Sequence, residues 1–346
     1  MEGKMTAAVL YEPGDIRVEE VPIPAIGSKD LLLEVAACGV CGSDIPRMMS
    51  NGAYYSPIIC GHEFAGHVVE IGDEVTAFKV GDLVTVPPLL PCRECESCQA
   101  GNFSLCEDYD YFGSRREGAY ARYVNVPENN ALLMPEGLDP RAAAMIDPAA
   151  IALHAVLKTD LRKGDRVAVL GAGPIGLFAI EWALLGGASE VLALDVSEEK
   201  AAMAREAGAT LTATSGEQAL ELAGKGFDVL IETAGAPPTI ALAPNLMARH
   251  GRAAFIGIPN HPIELDKKTF SNFLRREVSL HGSWNSFSAP FPGREWTESA
   301  ARLADGSLGW EFMITHELGL DELPDTMRKL ADRSIFSSKV LFIPTK

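Results

Sequence analysis

The chain has 346 residues, 47% hydrophobic and 22% charged, with 30 Lys and Arg against 47 Asp and Glu for a net charge of −17. That length suits two domains with substantial cores; no apolar run approaches the roughly 20 residues that span a bilayer, and no Lys/Arg-rich stripe offers a surface for nucleic acid. The N-terminal MEGKMTAAVLYEPG lacks the apolar core of a secretory signal, so a cytoplasmic location is expected.

From residue 6 to about 145 the chain is a succession of short β-rich runs such as LLLEVAACGV, HEFAGHVVEIG, DLVTVPPLL and AYARYVNVP, broken by Gly and Pro. This pattern predicts an irregular β-barrel. Two clusters inside it carry metal donors: CGVCGSD at 38–44 and CGHEFAG at 60–66. Thiol, imidazole and carboxylate together suit zinc, and three protein ligands would leave one coordination position open for chemistry. Taken singly, Cys38 and Cys60 read as small buried residues, His67 as a strand-face residue and His154 as a helix residue packing behind a cofactor.

Farther on, Cys92, Cys95, Cys98 and Cys106 lie within PCRECESCQAGNFSLC, spaced C-x2-C-x2-C-x7-C. A reducing cytosol disfavours disulfides, and the usual iron–sulfur spacing continues C-x3-C-P rather than x7. Four thiolates closing around one structural zinc is the expected arrangement, with no position left for substrate.

From about 150 to 285 buried apolar strands alternate with helical stretches, the pattern of a doubly wound parallel sheet in an α/β protein. RVAVLGAG runs into PIGLFAIEWALLG, placing Gly171, Gly173, Pro174, Ile175 and Gly176 at a strand-to-helix turn, and Asp195 ends the next strand. This is the context of a dinucleotide fingerprint: glycines admit the pyrophosphate to a helix N-terminus, and the acid bonds the adenosine ribose while repelling a 2′-phosphate. NAD is expected over NADP. Helical segments around WTESAARLADG and ELPDTMRKLAD precede a last strand, SKVLFIP, whose docking partner the sequence does not decide.

The order and spacing of GHEFAGHVVEIGDEV, CGSD, the four-cysteine loop and GAGPIG resemble those of the zinc-dependent medium-chain dehydrogenases along nearly the whole chain. The resemblance implies a GroES-like catalytic domain over 1–150, a Rossmann NAD-binding domain over 151–288 and a segment, 289–346, returning to the catalytic domain. It also implies two zincs per chain. Cys41, His62 and Glu63 would hold the catalytic zinc, with Asp147 in or near its shell; Asp44 would orient the histidine, and Ser43 would relay the alcohol proton. Where polyol dehydrogenases of the family usually have Glu-Pro, this chain has Asp147-Pro148, one methylene shorter, which favours contact through water. Arg276 resembles a residue near the cofactor in polyol dehydrogenases.

The loops GSDIPRMMSNGAYYSPI, YDYFGSRREG and GSWNSFSAPFPGREW look like those of the family's sugar-alcohol-phosphate dehydrogenases. In them Arg47, Arg115 and Arg116 are candidate phosphate anchors, since guanidinium pairs with phosphate oxygens. The implied reaction is zinc- and NAD-dependent oxidation of a secondary alcohol on a sugar-alcohol phosphate to the ketose phosphate, by a homo-oligomer, dimer or tetramer. The competing readings are an unphosphorylated polyol dehydrogenase, an L-threonine dehydrogenase, and, from another class, a non-catalytic NAD-binding sensor.

Overall fold

A computed structural model describes residues 2–346. The chain divides into two compact units: one comprises residues up to 147, 287–305 and 314–346, and the other residues 148–286 and 306–313. The eight residues Gly306–Met313, inside the segment expected to return to the catalytic domain, thus cluster with the second unit.

In the first unit, Asp30–Gly39 is the central strand, and its residues are largely buried because DLLLEVAACG is apolar on both faces. It pairs antiparallel with Glu63–Ile71 on one side and with Tyr123–Pro127 and Lys339–Phe342 on the other. The C-terminal strand therefore returns to the first unit, with Leu341 opposite Gly39 and Phe342 opposite Cys38. The sheet has seven strands, and a separate three-stranded sheet is built on Lys4–Glu12. An isolated bridge, Ala7–Ala121, ties the two. Among the described residues the ladder does not close into a ring, so the GroES-like fold is here a pair of open sheets around one core. Leu31, Leu32, Leu33, Phe64, Phe112, Tyr120 and Phe342 fill that core.

The second unit is a six-stranded parallel sheet in the order Leu211–Ala213, Glu190–Leu194, Arg166–Leu170, Phe227–Glu232, Met247–Phe255, Ser279–Gly282. This is the doubly wound 3-2-1-4-5-6 order, with its switch point beside Arg166–Leu170. The helix Pro174–Leu185 starts immediately after that strand, with Pro at its first position supplying a preset φ and no side-chain cap on its N-terminus.

Candidate functional site

Gly61 determines how the strand Glu63–Ile71 begins. It sits at φ 91°, and a β-carbon there would lie 2.8 Å from the Tyr120 ring and 2.9 Å from Cys38 Sγ. The chain turns sharply at this glycine and delivers His62 and Glu63 side by side, both almost fully buried. Opposite them, Cys41 follows the central strand. One donor atom each from Cys41, His62 and Glu63 lie within 4.8 Å of one another.

Asp44 supports this trio. Its Oδ1 lies 3.3 Å from His62 Nδ1, although Nδ1 makes no contact there that meets hydrogen-bond geometry. Its Oδ2 accepts from the Cys41 amide at 3.1 Å and from the Tyr120 hydroxyl at 3.0 Å. Burial would raise the Asp44 pKa, but His62, Arg47 and the Cys41 amide together hold it below the usual carboxylate range. Ser43 is exposed next to Cys41.

Asp147, in the first turn of the helix Ile146–Lys158, is 3% exposed, and its Oδ2 has no partner. Burial first, then the Glu63 carboxylate, push it up to about 7. It is not part of the compact donor set, so the structure brings together three of the four expected ligands and leaves the shorter carboxylate outside them.

The residues fit a divalent zinc. Soft and borderline donors converge, and two buried polar atoms beside them, His62 Nδ1 and Asp147 Oδ2, are not satisfied by the protein.

Three further residues of this site escaped the sequence reading. Lys339, 2% exposed, donates from Nζ to Glu63 Oε2 at 2.5 Å and to the Val40 carbonyl at 3.2 Å. Burial would lower its pKa, but Glu63 and Cys41 hold it above the ordinary value, so it is a cation. The available signal was a lysine heading the wholly buried strand KVLF. Tyr111 packs edge-on against the His62 ring at 5.6 Å; burial and the Asp147 carboxylate keep its phenol protonated. Tyr120, noted above, anchors Asp44, and nothing in its local sequence marks that role.

Cys92, Cys95, Cys98 and Cys106 also converge, their Sγ atoms within 4.8 Å of one another and none in a disulfide. The Cys95 amide donates to Cys92 Sγ at 3.3 Å and the Cys92 amide to Cys106 Sγ at 3.2 Å. Backbone donors, the Glu107 amide foremost, pull Cys95 down to about 7, whereas burial pushes Cys98 up to about 12. A metal would displace that proton and bind the thiolate. The donor set fits a closed zinc site.

In the second unit the fingerprint is laid out as the spacing predicts. A β-carbon on Gly176 would lie 1.9 Å from the Gly171 carbonyl, so only glycine permits this strand–helix approach, whereas one on Gly173 meets nothing within 4 Å. The open space and the uncapped helix N-terminus fit a pyrophosphate. Pro174 and Ile175 form the first turn of that helix. Asp195 accepts from the amides of Ala172 at 2.9 Å and Ser197 at 3.1 Å, which fixes its carboxylate at the strand end. Arg276, expected near the cofactor, donates from Nη1 to the carbonyls of Pro244, Asn245 and Met247 at 3.3, 2.9 and 2.5 Å. Through that one nitrogen it braces the end of the helix Pro237–Leu246.

The three candidate phosphate arginines differ. Arg47 bonds Asp44 Oδ1 at 3.1 Å, and Arg116 bonds Asp110 at 3.4 Å. Arg115 meets no carboxylate among the described residues; its guanidinium lies between the rings of Tyr54 and Tyr109, 4.4 and 4.3 Å from their centroids, and its Nε is buried without a partner.

Residues 27–136 match the alcohol dehydrogenase GroES-like domain and residues 174–304 the zinc-binding dehydrogenase model. The chain is 38% identical over 347 residues to galactitol 1-phosphate 5-dehydrogenase of Escherichia coli (strain K12), covering 98% of this chain and 100% of that one. It is 30% identical to sorbitol dehydrogenase of Bacillus subtilis (strain 168), covering 99% and 98%. The crystal structure of galactitol-1-phosphate dehydrogenase from Escherichia coli superposes with a TM-score of 0.93 at 36% identity, covering 98% and 100%. A Sinorhizobium meliloti 1021 structure of this class, bound to NADP, superposes with a TM-score of 0.92 at 34% identity, covering 99% and 100%.

A GroES-like unit carrying a Cys–His–Glu trio and a Rossmann unit carrying the glycine fingerprint define a two-part dehydrogenase. The chain belongs to the zinc-binding medium-chain alcohol and polyol dehydrogenases, and is an oxidoreductase acting on a small molecule. No helix among the described residues is long and apolar enough to cross a membrane.

Proposed function

We propose that this dehydrogenase oxidises a secondary alcohol of a sugar-alcohol phosphate, of the galactitol 1-phosphate type, to the ketose phosphate. The observation carrying this reading is Arg115, a guanidinium with no carboxylate partner in a chain of net charge −17, held between two tyrosine rings. The rings continue inward: Tyr109 meets Tyr111 at 6.2 Å, and Tyr111 meets His62. The anchor thus belongs to the same layer of side chains as the trio. Arg47 and Arg116, already paired with acids, serve as secondary contacts.

In this reading Cys41, His62 and Glu63 hold the catalytic zinc and the four cysteines a structural one. Zinc held there would supply Lewis acidity that lowers the pKa of the substrate hydroxyl, and a dinucleotide at the glycine turn would supply the hydride acceptor. Asp44 holds His62 in place, exposed Ser43 passes the hydroxyl proton outward, and Asp147 reaches the site through water. Asp195 favours NAD, by meeting the ribose hydroxyls and repelling a 2′-phosphate. The protein works as a cytoplasmic homo-oligomer; the outer strand Ser279–Gly282, unpaired along one edge with Leu280, Phe270, Leu274 and Trp284 exposed nearby, supports self-association. A monomer in sedimentation at micromolar concentration would contradict that part.

The deciding experiment is turnover with NAD of polyols, their 1-phosphates and threonine by the wild type and Arg115→Ala. The reading expects phosphorylated substrates to be preferred and their KM to rise roughly 10- to 100-fold in the variant, the cost of a charge-assisted pair. Equal turnover of phosphorylated and free polyols, unaffected by Arg115→Ala, points instead to a sorbitol-type enzyme; dinucleotide binding with no turnover of any alcohol points to a sensor.

A further inference from the structure

Lys339 is held where no lysine would settle without a purpose for its charge. It is 2% exposed, and removing an ammonium from water costs several kcal/mol unless it is paired. Its partner is Glu63, 276 residues away in sequence, and the two meet because Gly39 stands beside them: a β-carbon there would lie 2.6 Å from Glu63 Oε2 and 3.4 Å from Lys339 Nζ. The strand pairing that sets Leu341 against Gly39 brings Lys339 to that spot.

Glu63 thus faces one cation in the protein and would face a second in a metal bound by the trio. One oxygen is engaged by the ammonium, while a carboxylate oxygen of the same residue stands with Cys41 and His62 in the compact donor set. We infer that Lys339 and the metal are negatively coupled through Glu63, so that Lys339 sets how tightly this site holds its metal. The inference rests on the reading that Cys41, His62 and Glu63 are the metal ligands. A dication beside the trio draws on the carboxylate charge that stabilises the ammonium, and the two positive centres repel across a buried, weakly screened gap. Coupling of this kind is reciprocal: whatever the metal costs the ammonium, the ammonium costs the metal. Removing the lysine charge should therefore tighten metal binding, whereas a residue that merely filled space would leave affinity unchanged and one that oriented Glu63 for ligation would weaken it when lost.

The test is chelator competition for zinc on the full chain, comparing wild type, Lys339→Met, Lys339→Gln and Lys339→Arg, with zinc content and thermal unfolding measured with and without metal. The expected result is zinc held about tenfold more tightly at this site in Lys339→Met and Lys339→Gln, within the usual range of such couplings, and near wild-type affinity in Lys339→Arg. Both neutral variants should lose more thermal stability without zinc than with it. If Lys339→Met folds only with zinc, Lys339→Gln keeps a donor for the Val40 carbonyl, and slower zinc release than wild type is the expected reading. Equal or weaker affinity in folded neutral variants overturns the inference. Cys41→Ser separates the two levels: if the wild type and Cys41→Ser hold the same zinc content, the trio is not the metal site and both readings fail. If Cys41→Ser loses one zinc while the Lys339 variants bind as wild type does, only the role of Lys339 fails.

Discussion

Asp44 joins the two halves of the metal-site scaffold: its Oδ1 lies 3.3 Å from His62 Nδ1 while its Oδ2 accepts the Tyr120 hydroxyl at 3.0 Å. The carboxylate is fully buried, and the Cys41 amide and Arg47 also contact it. One side chain thereby contacts two of the three residues that carry the candidate donors.

Asp44→Asn keeps the shape and removes the charge. Zinc affinity at the trio should fall about 10- to 100-fold, as when other outer partners of metal-ligating histidines are lost, with the four-cysteine zinc retained. Tyr120→Phe removes the hydroxyl that reaches Asp44 Oδ2 and, at 3.4 Å, the Gly39 carbonyl, and should cost about 1 kcal/mol of stability with little change in zinc affinity. Chelator competition and thermal unfolding check both; an Asp44→Asn protein with wild-type zinc affinity would show that the carboxylate does not support His62.

Cys98→Ser breaks the closed thiolate set. Because a closed site contributes to folding and not to chemistry, this variant should lose one zinc per chain and several degrees of thermal stability. Cys41→Ser should lose the other zinc and the activity while unfolding close to wild type. The opposite pattern, activity lost with Cys98→Ser at unchanged stability, would reverse the assignment of the two sites.

Glu181 offers a pH test away from the metals. Its Oε1 accepts from the Gly309 amide at 3.0 Å, its Oε2 is buried without a partner, and burial pushes the carboxyl up to about 8 from 4.5. The group is neutral in the folded protein where the unfolded chain is already ionised. The unfolded state therefore binds fewer protons, and stability falls as pH rises from the unfolded pKa through the folded one. A tenfold change in proton affinity is worth about 1.4 kcal/mol, so the loss is at most about 5 kcal/mol. Glu181→Gln should unfold at a higher temperature than wild type at pH 8.5, and the difference should vanish near pH 5. A difference independent of pH would mean the carboxyl does not titrate as its burial implies.

Much of this site was legible because its chemistry is written in short, local motifs. Cys41-Gly-Ser-Asp44 and Gly61-His62-Glu63 hold the candidate donors and the acid beside them within a few residues, and the spacing of Cys92, Cys95, Cys98 and Cys106 suggests a closed cage. The glycine fingerprint with Asp195 is likewise a local event, one strand, one turn and one helix. Arg276 shows the limit: nothing near it in sequence announces the carbonyls of residues 244–247, about thirty positions earlier, to which its Nη1 donates. The sequence offers three arginines in the substrate loops, and only the fold shows that Arg47 and Arg116 meet acids whereas Arg115 meets two tyrosine rings and the Tyr109 carbonyl.

By itself the sequence determined the candidate donor clusters, the glycine-rich turn and the alternation of strands and helices, since residue type and spacing decide these over short stretches of chain. Tertiary structure alone decided that the last strand returns to Asp30–Gly39, that Asp147 falls outside the compact donor set, and that Lys339 meets Glu63. Those relations depend on segments far apart in the chain, 276 residues apart for Lys339 and Glu63. Electrostatics then acts through the distances that the pairing imposes, and no local pattern of residues encodes them.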